Sequence, residues 1–371
     1  MHSTPADSGD PHASGGIWRA VDAAANRAIE ALRVLEDMLR FAVGDRHLTD
    51  LAKNLRHDLA AALATAGMQR RIMARDVAGD VGAGLDAPAA LARRGTADVL
   101  AANAARAAQA LRSLQETAAV VAPAAVGGFE ALRYRLYTLE RAAAVTSRSQ
   151  DRLADITLCV LVDGGSDAAT FSRLVESLVE AGVRLFQLRD KSLPVPQFAE
   201  RARTGLAICR RHPAETRPRF IVNDRVDVAA AVAADGGHVG ADDLPVPLAR
   251  RVLGPEPLVG RTAHDAAEAR QAVLDGADYL GIGPCFPSAT KSFTAHAAPE
   301  FLRTVCGEIS LPTFAIGGIT AEKLPLLVEL GARRVAVASA VTRAADPPRA
   351  ARELIETLAR LNERRPAAGA P

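Results

Sequence analysis

The sequence predicts an α/β protein, a (β/α)8 TIM barrel preceded by an all-α N-terminal domain. Three observations carry this. Up to about residue 145 apolar residues recur at three- and four-residue spacing with no strand-like run between them. Beyond Asp155 short β-rich runs alternate with longer helical stretches. The length, 371 residues, suffices for two domains that each bury a core.

The elements follow in chain order. Residues 1–16, MHSTPADSGDPHASGG, are polar and lack an apolar segment, which reads as a disordered tail and not a secretion signal. Residues 17–145 form the helical domain, with Ile29, Leu32, Leu35, Leu39 and Ala42 marking one apolar stripe. RDVAGDVGAG (75–84) and PAAVGG (123–128) interrupt the pattern and divide the region into four or five helices. TSRSQDR is short and polar and lies where the period changes, so 146–154 is expected to be a linker. Eight β-rich runs follow within 155–361: TLCVLV (157–162), RLFQLR (184–189), RFIVN (219–223), GHVG (237–240), PLVGRT (257–262), DYLGIG (278–283), PTFAIG (312–317) and RVAVAS (334–339). Helical segments separate them, and near-continuous apolar strands imply a parallel sheet covered on both faces. A doubly wound open sheet is the alternative, disfavoured because VDGGSDAA after the first strand does not fit G-x-G-x-x-G. Residues 362–371 are expected to be a second disordered tail.

With 49% hydrophobic and 24% charged residues the chain reads as a soluble globular protein. Its 45 basic and 43 acidic residues nearly cancel, which argues against a nucleic-acid or membrane partner recruited by bulk charge. Any anion site is therefore local. Cys159, Cys209, Cys285 and Cys306 are widely spaced and form no C-x-x-C pair, so a reducing, cytoplasmic setting is expected, without zinc or a disulfide framework. No run approaches the roughly 20 apolar residues of a membrane helix. Association into a homo-oligomer is left open.

In a TIM barrel chemistry sits where strands end and βα-loops begin. Here those positions are rich in polar groups: Gln187, Arg189, Asp190 and Lys191 after the second strand, Asn223 and Asp224 after the third, Asp242 and Asp243 after the fourth, Thr262 and His264 after the fifth. GPCFPSATK, with Ser288, Thr290 and Lys291, follows the sixth; Gly317 and Gly318 follow the seventh, and Ser339 the eighth. Arginine, lysine, hydroxyls and glycine amides together point to phosphate. One phosphate is expected near Gly318 and Ser339, and a second phosphorylated group near Arg189, Lys191 and Lys291. Asp224 and Asp243 follow adjacent strands and suit one Mg²⁺, which takes few carboxylates and bridges phosphate oxygens. Each residue also has a plainer reading: an aspartate after a strand as a helix N-cap, Arg189 and Lys191 as a solvated loop pair, His238 and His264 as hydrogen-bonded structural histidines, Cys285 as a packed small residue.

FQLRDK, IVNDR, HVGADD, GRTAH, DYLGIGPCFPSATK, AIGGI and ASAV, in this order, resemble thiamine-phosphate synthase from about Asp155 to Leu361. The resemblance implies a TIM-barrel transferase of thiamine biosynthesis. It joins 4-amino-2-methyl-5-(diphosphooxymethyl)pyrimidine to hydroxyethylthiazole phosphate, plain or carboxylated, and releases pyrophosphate. It implies that Gln187, Leu188, Arg189, Asp190 and Lys191 hold the pyrimidine diphosphate beside Asn223, and that Asp224 and Asp243 bind one Mg²⁺ per barrel. Thr262 then contacts the pyrimidine; Ser288, Ala289 and Thr290 bind the thiazole; Lys291 meets the diphosphate; Gly318, Ala338 and Ser339 cradle the thiazole phosphate. Arg189, Lys191 and Lys291 are the implied catalytic cations. This chain departs from the family at Ala241, usually Gln, and at Thr262 and Ser288, where Ser and Thr exchange. A thiazole phosphate isomerase is the alternative for the barrel, but it has no pyrophosphate to bind and little use for this set.

The region 17–143, with NRAIEALRVLEDMLRF, RDVAGDVG and LRYRLYTLE, resembles the helical extension of some members. That implies hydroxymethylpyrimidine-phosphate kinase activity, with an assembly or regulatory role as the alternative. No G-x-x-x-x-G-K-[ST] is present, and Asp76 and Asp80 read equally as N-caps. Asn26, Arg27, Glu30, Arg33, Glu36 and Arg40 form a charged stripe that reads as a solvated, salt-bridged face, or as a dimer or phosphate-binding surface.

Overall fold

A computed structural model describes residues 11–65, 67–76, 79–80, 92–287 and 299–364. The chain divides into two compact units, Met1–Ala144 and Val145–Pro371.

The first unit is helical. Helix α1 (Pro11–Met38) runs into a π turn (Leu39–Val43), and α2 (Arg46–Leu63) follows, capped by Asp45, whose carboxylate accepts from the Leu48 amide at 2.8 Å. A 3-10 segment (Met68–Ala74), α3 (Thr96–Val121), a short 3-10 turn (Pro123–Ala125) and, as far as Ala144, α4 (Val126–Arg152) complete it. The expected tail is helical from Pro11 onward, whereas residues 1–10 lie outside the described residues. The π turn adds a residue to one turn of the helix and rotates the stripe, so Val43 is buried where the spacing predicted Ala42, which is exposed. The charged stripe of α1 is not uniformly solvated: Glu36 is buried and takes Arg56 Nε at 2.8 Å, while Arg27 and Arg40 are exposed. Burial works against the Glu36 carboxylate, but the Arg56 hydrogen bond and charge outweigh it and lower its pKa.

The second unit is a closed parallel barrel, β1 (Leu158–Val162), β2 (Leu185–Leu188), β3 (Arg219–Asn223), β4 (Gly236–Val239), β5 (Leu258–Ala263), β6 (Tyr279–Ile282), β7 (Thr313–Ile316) and β8 (Arg334–Val337), with β8 paired back to β1. Helices α5 (Ala168–Glu180), α6 (Val195–Cys209), α7 (Val226–Ala231), α8 (Val246–Leu253), α9 (Ala266–Asp275), α10 (Pro299–Glu308), α11 (Leu324–Glu329), α12 (Ser339–Thr342) and α13 (Pro347–Glu363) follow the strands in turn. Asp167, Asp265 and Asp346 cap α5, α9 and α13 through their side chains. Side chains alternate along each strand: Cys159, Leu161, Leu185, Ile221, Leu258, Tyr279, Phe314 and Ala336 fill the barrel interior. The expected second tail is helical through Glu363, and residues 365–371 lie outside the described residues.

The expected linker is corrected by the structure. Residues 146–152 continue α4, with Thr146 and Ser149 buried, and Leu153 and Ile156 join the barrel's interior cluster. The segment is polar because its side chains meet polar groups at the strands' N-terminal end. Ser149 Oγ donates to Asp278 Oδ1 at 3.2 Å, Arg152 reaches the Glu256 carbonyl at 2.8 Å, and Gln150 the Ser310 carbonyl at 3.2 Å. Asp278, fully buried, also accepts from the Val259 amide, Arg148 and Arg250.

Candidate active site

The strand register brings Gln187, Asn223, His238 and Thr262 to one mouth. Gln187 lies beside Leu161 and Ile221, Asn223 beside His238, His238 beside Gly260, and Thr262 beside Gly281. Above them opens a cavity of about 1020 Å³, lined by Gln187, Arg189, Asp190, Lys191, Asn223, His238, Thr262, His264, Gly318, Ala338 and Ser339 among others. It lies at the upper end of the size range of small-molecule sites.

A buried polar chain forms the cavity floor. His238 Nε2 meets Thr262 Oγ1 at 2.8 Å, His238 Nδ1 meets the Tyr279 hydroxyl at 3.2 Å, and Tyr279 is hydrogen-bonded by Gln187. The chain exists because Gly260 carries no side chain: a Cβ there would lie 2.1 Å from Tyr279 Cζ and 2.4 Å from His238 Nδ1. Burial, aided by Arg261 and opposed by Asp243, pushes His238 down to about 4, so the ring is neutral at pH 7. Burial likewise raises Tyr279 well above the usual phenol range. With Gln187 donating to the Tyr279 oxygen, the neutral ring is placed to take the phenol proton at Nδ1 and to give its Nε2 proton to Thr262.

At the rim Asp224 and Asp243 converge, their carboxyls within hydrogen-bonding reach, and Lys191 Nζ lies 3.8 Å from Asp224 Oδ2. Burial first, then Asp243, hold the Asp224 carboxyl above the usual range, with Lys191 and Arg189 opposing. Neither aspartate caps a helix. Arg225 and Pro245 occupy the caps of α7 and α8, and Asp243 Oδ2 instead accepts from the Gly240 amide at 2.8 Å. Asp224 adopts φ +61°, a left-handed conformation that aspartate tolerates better than most residues and that aims its carboxylate at Asp243. Two half-buried carboxylates beside each other repel, and this donor set fits a hard divalent cation. No third His, Cys, Asp or Glu joins them among the described residues, so Asp224 and Asp243 are the side chains that would hold such an ion.

On the opposite side Gly317 and Gly318 are left-handed, φ +103° and +60°, and a Cβ on Gly318 would lie 2.2 Å from the Pro287 carbonyl. Only glycine fits there, which lets this loop pack directly against the backbone of Phe286 and Pro287. Lys323 Nζ donates to the Gly318 carbonyl at 2.6 Å and lies 4.5 Å from the Phe286 ring centre, pinning this loop, while Arg343 lines the same side of the cavity. The sequence reading missed both cations. Their signal is weak: Lys323 follows AIGGI by a few residues, and Arg343 lies one helical turn beyond Ser339.

Two expectations shift. Leu188 is fully buried and does not line the cavity, because strand alternation turns it away from the interior that Gln187 occupies. Asp190 lines the cavity, but its carboxylate is engaged in holding loops, accepting from the Gly164 amide at 2.9 Å and the Ser192 amide at 2.8 Å. Ser288, Ala289, Thr290 and Lys291 lie outside the described residues. Cys285 is buried and its thiol is pushed up to about 12 by burial, in keeping with a packed side chain. His264 is exposed and pairs with Glu268 at the start of α9.

A closed parallel barrel whose C-terminal mouth carries separate cationic sides, a glycine cradle and a carboxylate pair defines the class: a TIM-barrel enzyme of phosphorylated small molecules. Residues 158–341 match the family described as Thiamine monophosphate synthase, and residues 19–142 match the ThiD2 family. The thiamine-phosphate synthase of Rhodopirellula baltica is 38% identical over 335 residues, 88% of each chain. That of Synechococcus sp. (strain WH7803) is 39% identical over 368 residues, 96% of this chain and all of that one. A solved thiamine phosphate pyrophosphorylase from Pyrococcus furiosus is 31% identical, covering 56% of this chain and 97% of that one at a TM-score of 0.49. The chain belongs to the thiamine-phosphate synthase family, transferases of thiamine biosynthesis.

Proposed function

We propose that the barrel joins 4-amino-2-methyl-5-(diphosphooxymethyl)pyrimidine to hydroxyethylthiazole phosphate and releases pyrophosphate. The observation that carries this reading is the separation of two anion-binding sides on one mouth. Arg189 and Lys191 stand beside the carboxylate pair, and Gly318, Ser339, Lys323 and Arg343 stand across the cavity. Two phosphorylated substrates thus meet above the same floor.

The methylene C–O bond breaks with its electron pair leaving on pyrophosphate, and the thiazole nitrogen supplies the pair for the new C–N bond. The aminopyrimidine ring stabilises the methylene cation in a dissociative order, so no protein nucleophile is needed. A Mg²⁺ ion held by Asp224 and Asp243, when bound, neutralises diphosphate oxygens. Arg189 and Lys191, with Lys291 as the third expected cation, offset charge developing on the leaving group. Gln187 and Thr262 orient the pyrimidine through the buried chain, and the Gly318 loop with Ser339 holds the thiazole phosphate. Purified protein given both substrates and MgCl₂ is expected to form thiamine phosphate and pyrophosphate in equal amounts. Failure to form thiamine phosphate would overturn the reading.

For the helical unit the ThiD2 match over 19–142 supports phosphorylation of the pyrimidine monophosphate as a second activity. Comparing the full chain with a chain beginning at Val145 tests it. A second activity requires that only the full chain form thiamine phosphate from the monophosphate and ATP; equal behaviour supports the assembly or regulatory role.

A further inference from the structure

The helical unit contains an internal repeat. RAIEALRVLED (27–37) in α1 and RAAQALRSLQE (106–116) in α3 align without a gap, and six of the eleven positions are identical. The apolar matches, Leu32 with Leu111 and Leu35 with Leu114, are buried in both helices. Three further matched pairs, Arg27 with Arg106, Glu30 with Gln109 and Val34 with Ser113, line one cavity of about 450 Å³, so equivalent positions of the two helices build one pseudo-symmetric groove.

Each copy carries two arginines, and the structure treats them differently. The outer pair is neutralised at equivalent positions: Arg33 meets Asp37 at 3.3 Å, and Arg112 meets Glu116 at 2.6 Å. The groove pair, Arg27 and Arg106, has no ion pair among the described residues. Asn103, 6% exposed, lines the same groove and is held by its Nδ2 donating to the Val99 carbonyl at 2.8 Å, which leaves Oδ1 for a ligand.

We infer that this groove is a binding site for a phosphorylated small molecule. Two guanidinium forks lining one groove, neither of them ion-paired among the described residues, suit phosphate oxygens, and the volume suits a small ligand. Glu30 and the Asn103 oxygen are acceptors, so the ligand also presents hydroxyl or amino donors beside its phosphate. The assignment concerns binding alone and stands independently of phosphoryl transfer by this unit or of chemistry in the barrel.

Phenylglyoxal labelling of the full chain, read peptide by peptide by mass spectrometry, tests it with inorganic pyrophosphate and glycerol 2-phosphate as probes. Labelling of Arg27 and Arg106 is expected to slow at least fivefold with either probe, while Arg33 and Arg112 are unchanged. Sodium chloride at equal ionic strength is expected to protect none of the four. In calorimetry the Arg27→Gln/Arg106→Gln chain is expected to bind one pyrophosphate fewer than the unsubstituted chain while forming thiamine phosphate at the same rate. Protection spread equally over all four arginines, protection by sodium chloride, no protection, or unchanged stoichiometry would each overturn the site.

Discussion

At the residue scale, the mouth depends on side chains held in states they would not adopt in water. Asp224 faces Asp243 from a left-handed backbone, so the substitution that isolates its charge is asparagine, which accepts the same conformation. Asp224→Asn is expected to lower thiamine phosphate turnover on the order of 10²-fold or more, because a cation stabilising the leaving group contributes several kcal/mol. The circular-dichroism spectrum should be unchanged, and near-normal turnover would remove Asp224 from the metal role. His238 yields a prediction about pH. Its folded value of about 4 lies below the ordinary 6.5, so between those values the unfolded chain binds a proton that the folded chain does not. Stability from the neutral ring is therefore complete above pH 6.5, declines as pH falls, and stops declining near pH 4, for a total of up to about 3 kcal/mol. Urea titrations of wild-type and His238→Asn chains across this range should differ in slope by one proton; parallel curves would mean that the ring is not held neutral.

At the scale of elements, the end of α4 belongs to the barrel. Leu153 and Ile156 close the interior at the strands' N-terminal end, and the buried Asp278 collects Ser149, Arg148, Arg250 and the Val259 amide. Removing the buried acid leaves the Ser149 hydroxyl and the Val259 amide without their acceptor away from water, and Arg250 without its carboxylate. Asp278→Ala is expected to cost about 3–5 kcal/mol in urea denaturation. A cost below about 1 kcal/mol, the range of exposed pairs, would show that the cluster is solvated. The same contacts set where the barrel can be separated. A chain starting at Asp155, where β-periodicity first appears, lacks Ser149 and Leu153, whereas one starting at Val145 keeps them. The TSRSQDR segment misled because polarity in a sequence marks either solvent or a polar partner, and Asp278 lies more than 120 residues downstream.

At the scale of the molecule, two compact units divide within α4, and each carries its own cavity with arginines around it. No described helix is long and apolar enough to cross a membrane. The eight strands were legible because a parallel barrel buries both faces of each strand and leaves short apolar runs between helical stretches. The part of the candidate site that lines the cavity was legible for a related reason: this fold gathers the residues that follow each strand at one mouth, so local position in the sequence stands in for position in space. The sequence by itself determined the fold class, the order of its elements and the residue types at the strand ends, since these follow from periodicity and residue type over a few neighbours. Only the tertiary structure decided that Leu188 faces away, that Asp190 is committed to its loops, that Lys323 and Arg343 join the cavity, and that residues 146–152 are helix. Each of those outcomes rests on a partner or a barrel face supplied by distant segments, which no local pattern encodes.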